Sequence, residues 1–156
     1  APSRAARAPK VEYELYLDSD TQSPAGHTQW FYFSVRTGDF QGVVRFRIVN
    51  MRKKKALYQA GMQPHCMSAR KNKGWEPFEC EDISYIANSL NPRATKSGGE
   101  GIRLDQYTLA FSYRVQRPDD EIFFAAYPPY TYSMLGDFLG QLEDHPSARA
   151  HFRRSE

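Results

Sequence analysis

The chain has 156 residues, enough for one domain with an ordinary core and too few for two. Hydrophobic residues make up 40% and charged residues 25%, while Phe, Tyr and Trp reach 14%, a composition that leans towards strands. Lys and Arg outnumber Asp and Glu by 21 to 18, and the resulting +3 is too weak to argue for a nucleic-acid partner.

Residues 1–10 hold three basic residues, no acids, two prolines and four alanines without periodicity, and are expected to form a disordered leader. Order is expected from Val11, where Val11, Tyr13, Leu15 and Leu17 alternate with Glu12, Glu14 and Tyr16, the period of a half-buried strand. After the turn DSDTQSPAGH, the segment TQWFYFSVR carries large apolar groups on both faces and predicts a central strand. Val44, Phe46 and Ile48 then alternate with Arg45 and Arg47, predicting a strand with one wet side. Shorter strands are expected around Met62–Ser68, Trp75–Phe78 and Ile83–Ile86, before the loop NSLNPRATKSGGEG. Tyr107, Leu109, Phe111, Tyr113 and Val115 alternate with Thr108, Ser112 and Arg114, and RPDDE turns the chain into EIFFAAY, apolar on both faces.

Only the end reads as helical. Leu135, Phe138, Leu139 and Leu142 recur at helical spacing, with Thr131 or Ser133 as N-cap and His145-Pro146 as the stop. The whole predicts an all-β fold, an antiparallel β-sandwich over residues 11–132, with one short C-terminal helix inside a closing segment, 133–156.

Catalytic residues are not found. No histidine stands at HxxE, HExxH or HxH spacing, so no metal site is assigned, and GxSxG, GxGxxG and GxxxxGK[ST] are absent. The carboxylates at Asp18 and Asp20, at Glu79, Glu81 and Asp82, and at Asp119–Glu121 lie in turns, where acids serve as caps and solubilisers. Cys66 and Cys80 form no CxxC pair and read as half-buried free thiols. No window approaches the roughly 18 apolar residues of a membrane span, and no signal peptide is visible, so a cytoplasmic chain without a membrane partner is expected. The basic run Arg52, Lys53, Lys54 and Lys55 is a candidate for an anionic partner, as is Arg70-Lys71-Asn72-Lys73. The stretch Tyr127-Pro128-Pro129-Tyr130-Thr131-Tyr132-Ser133 combines stiff backbone with phenols, as a catalytic loop, a ligand-binding lip or a domain hinge would.

Taken in order, GHTQWFYFSV at 26–35, VVRFRIVNM at 43–51 with its basic continuation, LYQAGMQP at 57–64, GW at 74–75, YTLAFSYRV at 107–115 and FFAAYPPYTYSML at 123–135 carry a resemblance. Over residues 11–142 the chain resembles the N-terminal domain of the cytosolic carboxypeptidases. The resemblance implies a β-sandwich that precedes and packs on a zinc carboxypeptidase domain, in enzymes that remove C-terminal or branched glutamates from tubulin and other proteins. Zinc, its ligands and the general-base Glu are expected downstream of the tyrosine stretch, so this chain is expected to hold no cofactor and no catalytic residue. Its implied partners are the downstream domain and glutamate-rich tails such as those of tubulin. Tyr127, Pro128, Pro129, Tyr130, Thr131 and Tyr132 become domain-interface candidates, and Tyr130 and Tyr132 should be exposed in the sandwich by itself. The family pattern has one proline, YPYTYS; the additional proline here shifts the register of whatever Tyr130 and Tyr132 touch. The alternative is a free-standing sandwich that binds a protein or an anionic ligand.

Overall fold

The computed structural model describes residues 10–20, 27–71, 73–78, 80, 82–88, 106–148 and 151. Most of the expected leader, the SGGEG loop at 97–101, Glu79, Glu81 and most of the last eight residues lie outside the described residues. The strands are β1 (Lys10–Leu15), β2 (Tyr32–Arg36), β3 (Gly42–Met51), β4 (His65–Ser68), β5 (Glu76–Pro77), β6 (Ser84–Asn88), β7 (Gln106–Val115) and β8 (Glu121–Ala125), followed by α1 (Tyr132–Asp144). They form two four-stranded sheets, β1-β3-β7-β6 and β2-β8-β4-β5. The fold is thus an all-β sandwich with one short C-terminal helix.

The core lies between the sheets and is largely aromatic. Phe46 of β3 packs on Phe33, Phe111 and Phe124 with ring centroids 5.1, 5.5 and 5.1 Å away. Ile48, Leu109 and Phe111 are fully buried, each side chain contributing about 1.5–3 kcal/mol by leaving water. Alternation explains which residues these are, since β3 and β7 pair antiparallel with Phe46 opposite Phe111 and Ile48 opposite Leu109.

Four expectations need correction. First, β1 pairs parallel to β3, whereas an antiparallel sandwich was expected throughout. The chain from β1 visits the other sheet through β2 before returning as β3, and such a crossover permits parallel neighbours. Asn50 fixes the end of this pairing, its side chain accepting from the Leu17 N–H at 2.9 Å and donating to the Leu17 carbonyl at 2.8 Å.

Second, β2 is an edge strand and not a central one. Its apolar outer residue Tyr32 is stacked among other aromatics, and Trp30 precedes the strand. Third, the side of β3 expected to be wet, that of Arg45 and Arg47, is half-buried, and the polar face of β7 beside it is buried, with Thr108, Ala110 and Ser112 all under 9% exposed. Small residues there leave space that long neighbours fill. Arg45 and Arg47, in register with Ser112 and Ala110, lie over that face and pair with Glu12 and Glu14 of β1, at 3.5 Å for Arg45–Glu12 and 3.3 Å for Arg47–Glu14. Arg45 also reaches Asp82, which accepts from Ser112 Oγ at 2.9 Å.

Fourth, RPDDE is a corner between the two sheets, and its acids are not all solubilisers. Asp120 is 7% exposed and accepts from Ser68 Oγ at 2.6 Å and from the Arg70 backbone N–H at 3.2 Å. Its own N–H donates to Thr37 Oγ1 at 2.9 Å, so one residue joins the turns after β2, β4 and β7. Asp119 absorbs the bend at φ 52, and its N–H donates to the Gly38 carbonyl at 2.7 Å.

Candidate functional site

β8 is the central route from the core to the tyrosine stretch. Ile122 and Phe124 point into the sandwich, and Phe123 and Ala125 face outward between β2 and β4. The Ala126 N–H donates to the Phe31 carbonyl at 3.1 Å, the last backbone tie before the chain leaves the sheet. Tyr127 then lies 6.3 Å from the His65 ring, centroid to centroid, and its hydroxyl donates to Met62 Sδ at 3.3 Å.

Beyond Tyr127 the chain turns outward. Tyr130 is 63% exposed and Tyr132 80%, as expected of a sandwich by itself. Thr131 is the N-cap of α1, its Oγ1 accepting from the Met134 N–H at 3.2 Å, and His145 is the C-cap. α1 has an apolar stripe that includes Leu135 and Phe138, yet none of its residues is buried. Amphipathic helices in proteins draw most of their stability from a covered apolar face, and this one has no cover within the described residues.

The basic run lies at the same end of the sandwich. Lys53, Lys54 and Lys55 are exposed, Arg52 is half-buried, and the Lys53 carbonyl accepts from Tyr85 Oη at 2.6 Å. Tyr85 stacks on Tyr58, which is buried in the 3-10 turn Leu57–Ala60. Burial, with the Tyr127 and Tyr85 phenols adding to it, pushes the Tyr58 hydroxyl well above its ordinary range. The Lys53 backbone is thus tied through Tyr85 to Tyr58, and Tyr58 is near enough to Tyr127 to feel its phenol. The second basic run lies at the opposite end, where the Arg70 guanidinium donates to the Pro118 carbonyl at 2.8 Å.

Sequence reasoning missed the outer face of the second sheet. Trp30, 51% exposed, and Tyr32, 48%, stack with centroids 6.1 Å apart and planes 4° apart. Tyr32 also contacts Trp75 at 6.0 Å and Phe123 at 6.1 Å. The signal was present as TQWFYF, whose apolar residues on both faces were taken for a central strand.

Among the described residues no three His, Cys, Asp or Glu side chains converge as metal ligands. Cys66 and Cys80 are free and half-buried; burial pushes the first thiol up to about 11 and the second up to about 12, away from nucleophilic reactivity. One cleft is lined by Cys66, Lys71, Glu76 and Tyr113 and another by Asp18, His27 and Trp30. No helix among the described residues is long and apolar enough to cross a membrane.

The pattern described as "Cytosolic carboxypeptidase N-terminal domain" matches residues 3–97. Cytosolic carboxypeptidase 1 of Mus musculus is 36% identical over 150 residues, a match covering 93% of this chain and 12% of that protein. Cytosolic carboxypeptidase 2 of Homo sapiens is 35% identical over 147 residues, covering 92% of this chain and 15% of that protein. A crystal structure from Shewanella denitrificans, named as a candidate carboxypeptidase A, shares the fold at 16% identity and TM-score 0.51, covering 86% of this chain and 28% of that one. The chain thus spans less than a sixth of the length of these curated relatives. With a match over more than half its residues, the chain belongs to the family of cytosolic carboxypeptidase N-terminal domains.

Proposed function

We propose that this sandwich is the non-catalytic accessory domain of a cytoplasmic zinc carboxypeptidase, and that it supports a catalytic domain following α1. The observation that carries this reading is α1 itself, an amphipathic helix without one buried residue, capped by Thr131 directly after the exposed Tyr130. Such a helix fits the first element of a further folding unit, whose core would cover Leu135 and Phe138. Pro128 and Pro129 hold the connection stiff, and Tyr127, Tyr130 and Tyr132 offer amphipathic rings to the junction. Zinc and its ligands belong, on this reading, to the downstream domain.

On this reading the substrates are C-terminal or branched glutamates of proteins such as tubulin, as the family resemblance implies. Lys53, Lys54 and Lys55, exposed at the end where the chain leaves the sandwich, would draw acidic tails towards that domain. Reversing all three charges in the longer enzyme should slow turnover of a polyglutamate substrate about threefold or more at low salt, and less as salt is added. An unchanged rate at low salt removes the steering role and leaves the accessory role standing.

The coding sequence tests the main reading. Past Glu156 it should continue into an HxxE zinc-ligand pair within about a hundred residues. A stop codon close to Glu156 would instead favour a free-standing module that binds a protein or an anionic ligand.

A further inference from the structure

The sandwich has two outer faces, and they differ in kind. On the first sheet, Arg45 and Arg47 lie across the small residues of β7 and are ion-paired with Glu12, Glu14 and Asp82. These two arginines are partnered, and stripping water from such pairs to dock another protein carries a desolvation cost, although Ile86 of β6, opposite Thr108, is 61% exposed on the same sheet. The second sheet is different. At one end Ser34 Oγ donates to Glu121 at 3.0 Å and Arg36 pairs with Glu121 at 3.7 Å, an ordinary polar surface. At the other end Tyr32 stacks on Trp30 and Phe123 and meets Trp75 at a tilt, forming an aromatic patch with both Trp30 and Tyr32 about half exposed.

Position singles this patch out further. Tyr32 is opposite Ala125, and Ala125 is opposite His65, so the patch abuts the outward exit of β8. Tyr127, 48% exposed, continues it past His65, whose buried Nδ1 has no hydrogen-bond partner. A buried polar nitrogen without a partner is uncommon in a finished surface. Rigid Trp and Tyr rings clustered beside such an atom have the composition of an interface core, where charged residues are depleted and aromatic residues enriched.

We infer that the Trp30–Tyr32–Trp75 patch is the surface on which the domain following α1 docks. This rests on the accessory-domain reading above and specifies its geometry. The occupant is argued from continuity: the patch runs into Tyr127, from which the chain proceeds within a few residues to α1, whose own apolar stripe is uncovered. The curated relatives, roughly eight times longer than the part matched here, supply a polypeptide large enough to cover it. A docked domain therefore contacts the second sheet and leaves the ion-paired first sheet in water.

Hydroxyl-radical footprinting of the full-length protein and of the 156-residue chain, each read by mass spectrometry, tests the inference. Trp30, Tyr32 and Trp75 should label about fivefold more slowly in the full-length protein, as rings leave water at an interface core. Tyr16 and Ile86, exposed residues outside the patch, should label alike in both. Protection of Tyr13, Tyr16 or Ile86 with full labelling of Trp30, Tyr32 and Trp75 would overturn the choice of face and leave the accessory reading intact. Equal labelling of every residue, the tyrosines from Tyr127 to Tyr132 included, would overturn both. Trp30→Ser combined with Tyr32→Ser supplies a second readout. Both positions are exposed, so the sandwich itself should keep its circular dichroism, while the full-length protein should unfold in two transitions in place of one; a single unshifted transition contradicts the docking.

Discussion

At the scale of single residues, the consequential groups are polar ones in apolar surroundings. Asp120 joins three turns through Ser68 Oγ, the Arg70 N–H and Thr37 Oγ1. Truncation leaves Ser68 and Arg70 without their acceptor, so Asp120→Ala should cost about 1–3 kcal/mol in urea unfolding, with Asp120→Asn costing less. In sequence, the acid pair of RPDDE resembled any solvated turn. Nothing local distinguishes Asp120 from Asp119; only the arrival of β2 and β4 at the same corner does. The thiols were legible, since two scattered cysteines imply no bridge. Their pKa values, lifted by burial from the ordinary 9.0 to about 11 and about 12, mean that the unfolded chain loses thiol protons first as pH rises. Their contribution to stability is therefore full below pH 9 and is lost as pH climbs through that window. Alkaline unfolding followed by circular dichroism should begin at lower pH for the wild type than for the double variant Cys66→Ala, Cys80→Ala. At neutral pH iodoacetamide should modify the folded chain far more slowly than the unfolded one.

Among the elements, strands with strict alternation were the most legible, because period two assigns each residue a face before any partner is known. β3 and β7 illustrate this: Phe46, Ile48, Leu109 and Phe111 are all buried as their spacing requires. Pairing partners were not legible, because alternation carries no information on direction or neighbour. Hence β1 appears parallel to β3, and β2 at an edge whose aromatics cover one another. The helix was legible in both period and cap. Thr131→Ala removes the acceptor for the Met134 N–H and should reduce α1 stability by about 1 kcal/mol. Since α1 buries none of its residues, the loss should appear as reduced helical circular dichroism, with the sandwich's unfolding midpoint unmoved. A fall in that midpoint would mean that α1 is packed on the sandwich.

For the whole molecule, the described residues form a body whose surface is uneven. A well-packed aromatic core, a partnered ionic face and raised thiol pKa values all belong to a stable scaffold. The aromatic patch, the exposed tyrosines and the uncovered helix gather where the chain leaves the sandwich, together with Lys53, Lys54 and Lys55. The tyrosine stretch could be singled out from its composition alone. The patch could not, since its members come from three separate segments and become neighbours only through the β2-β8-β4-β5 order. On the proposed function, this domain serves a catalytic domain joined to it without taking part in the chemistry. Glutamate release from a glutamate-ended peptide, compared between the full-length enzyme and a version lacking residues 10–131, tests that claim most directly. The shortened enzyme should lose soluble, active protein, while the 156-residue chain should release no glutamate. Undiminished turnover without the sandwich, or glutamate release by the chain alone, would contradict it.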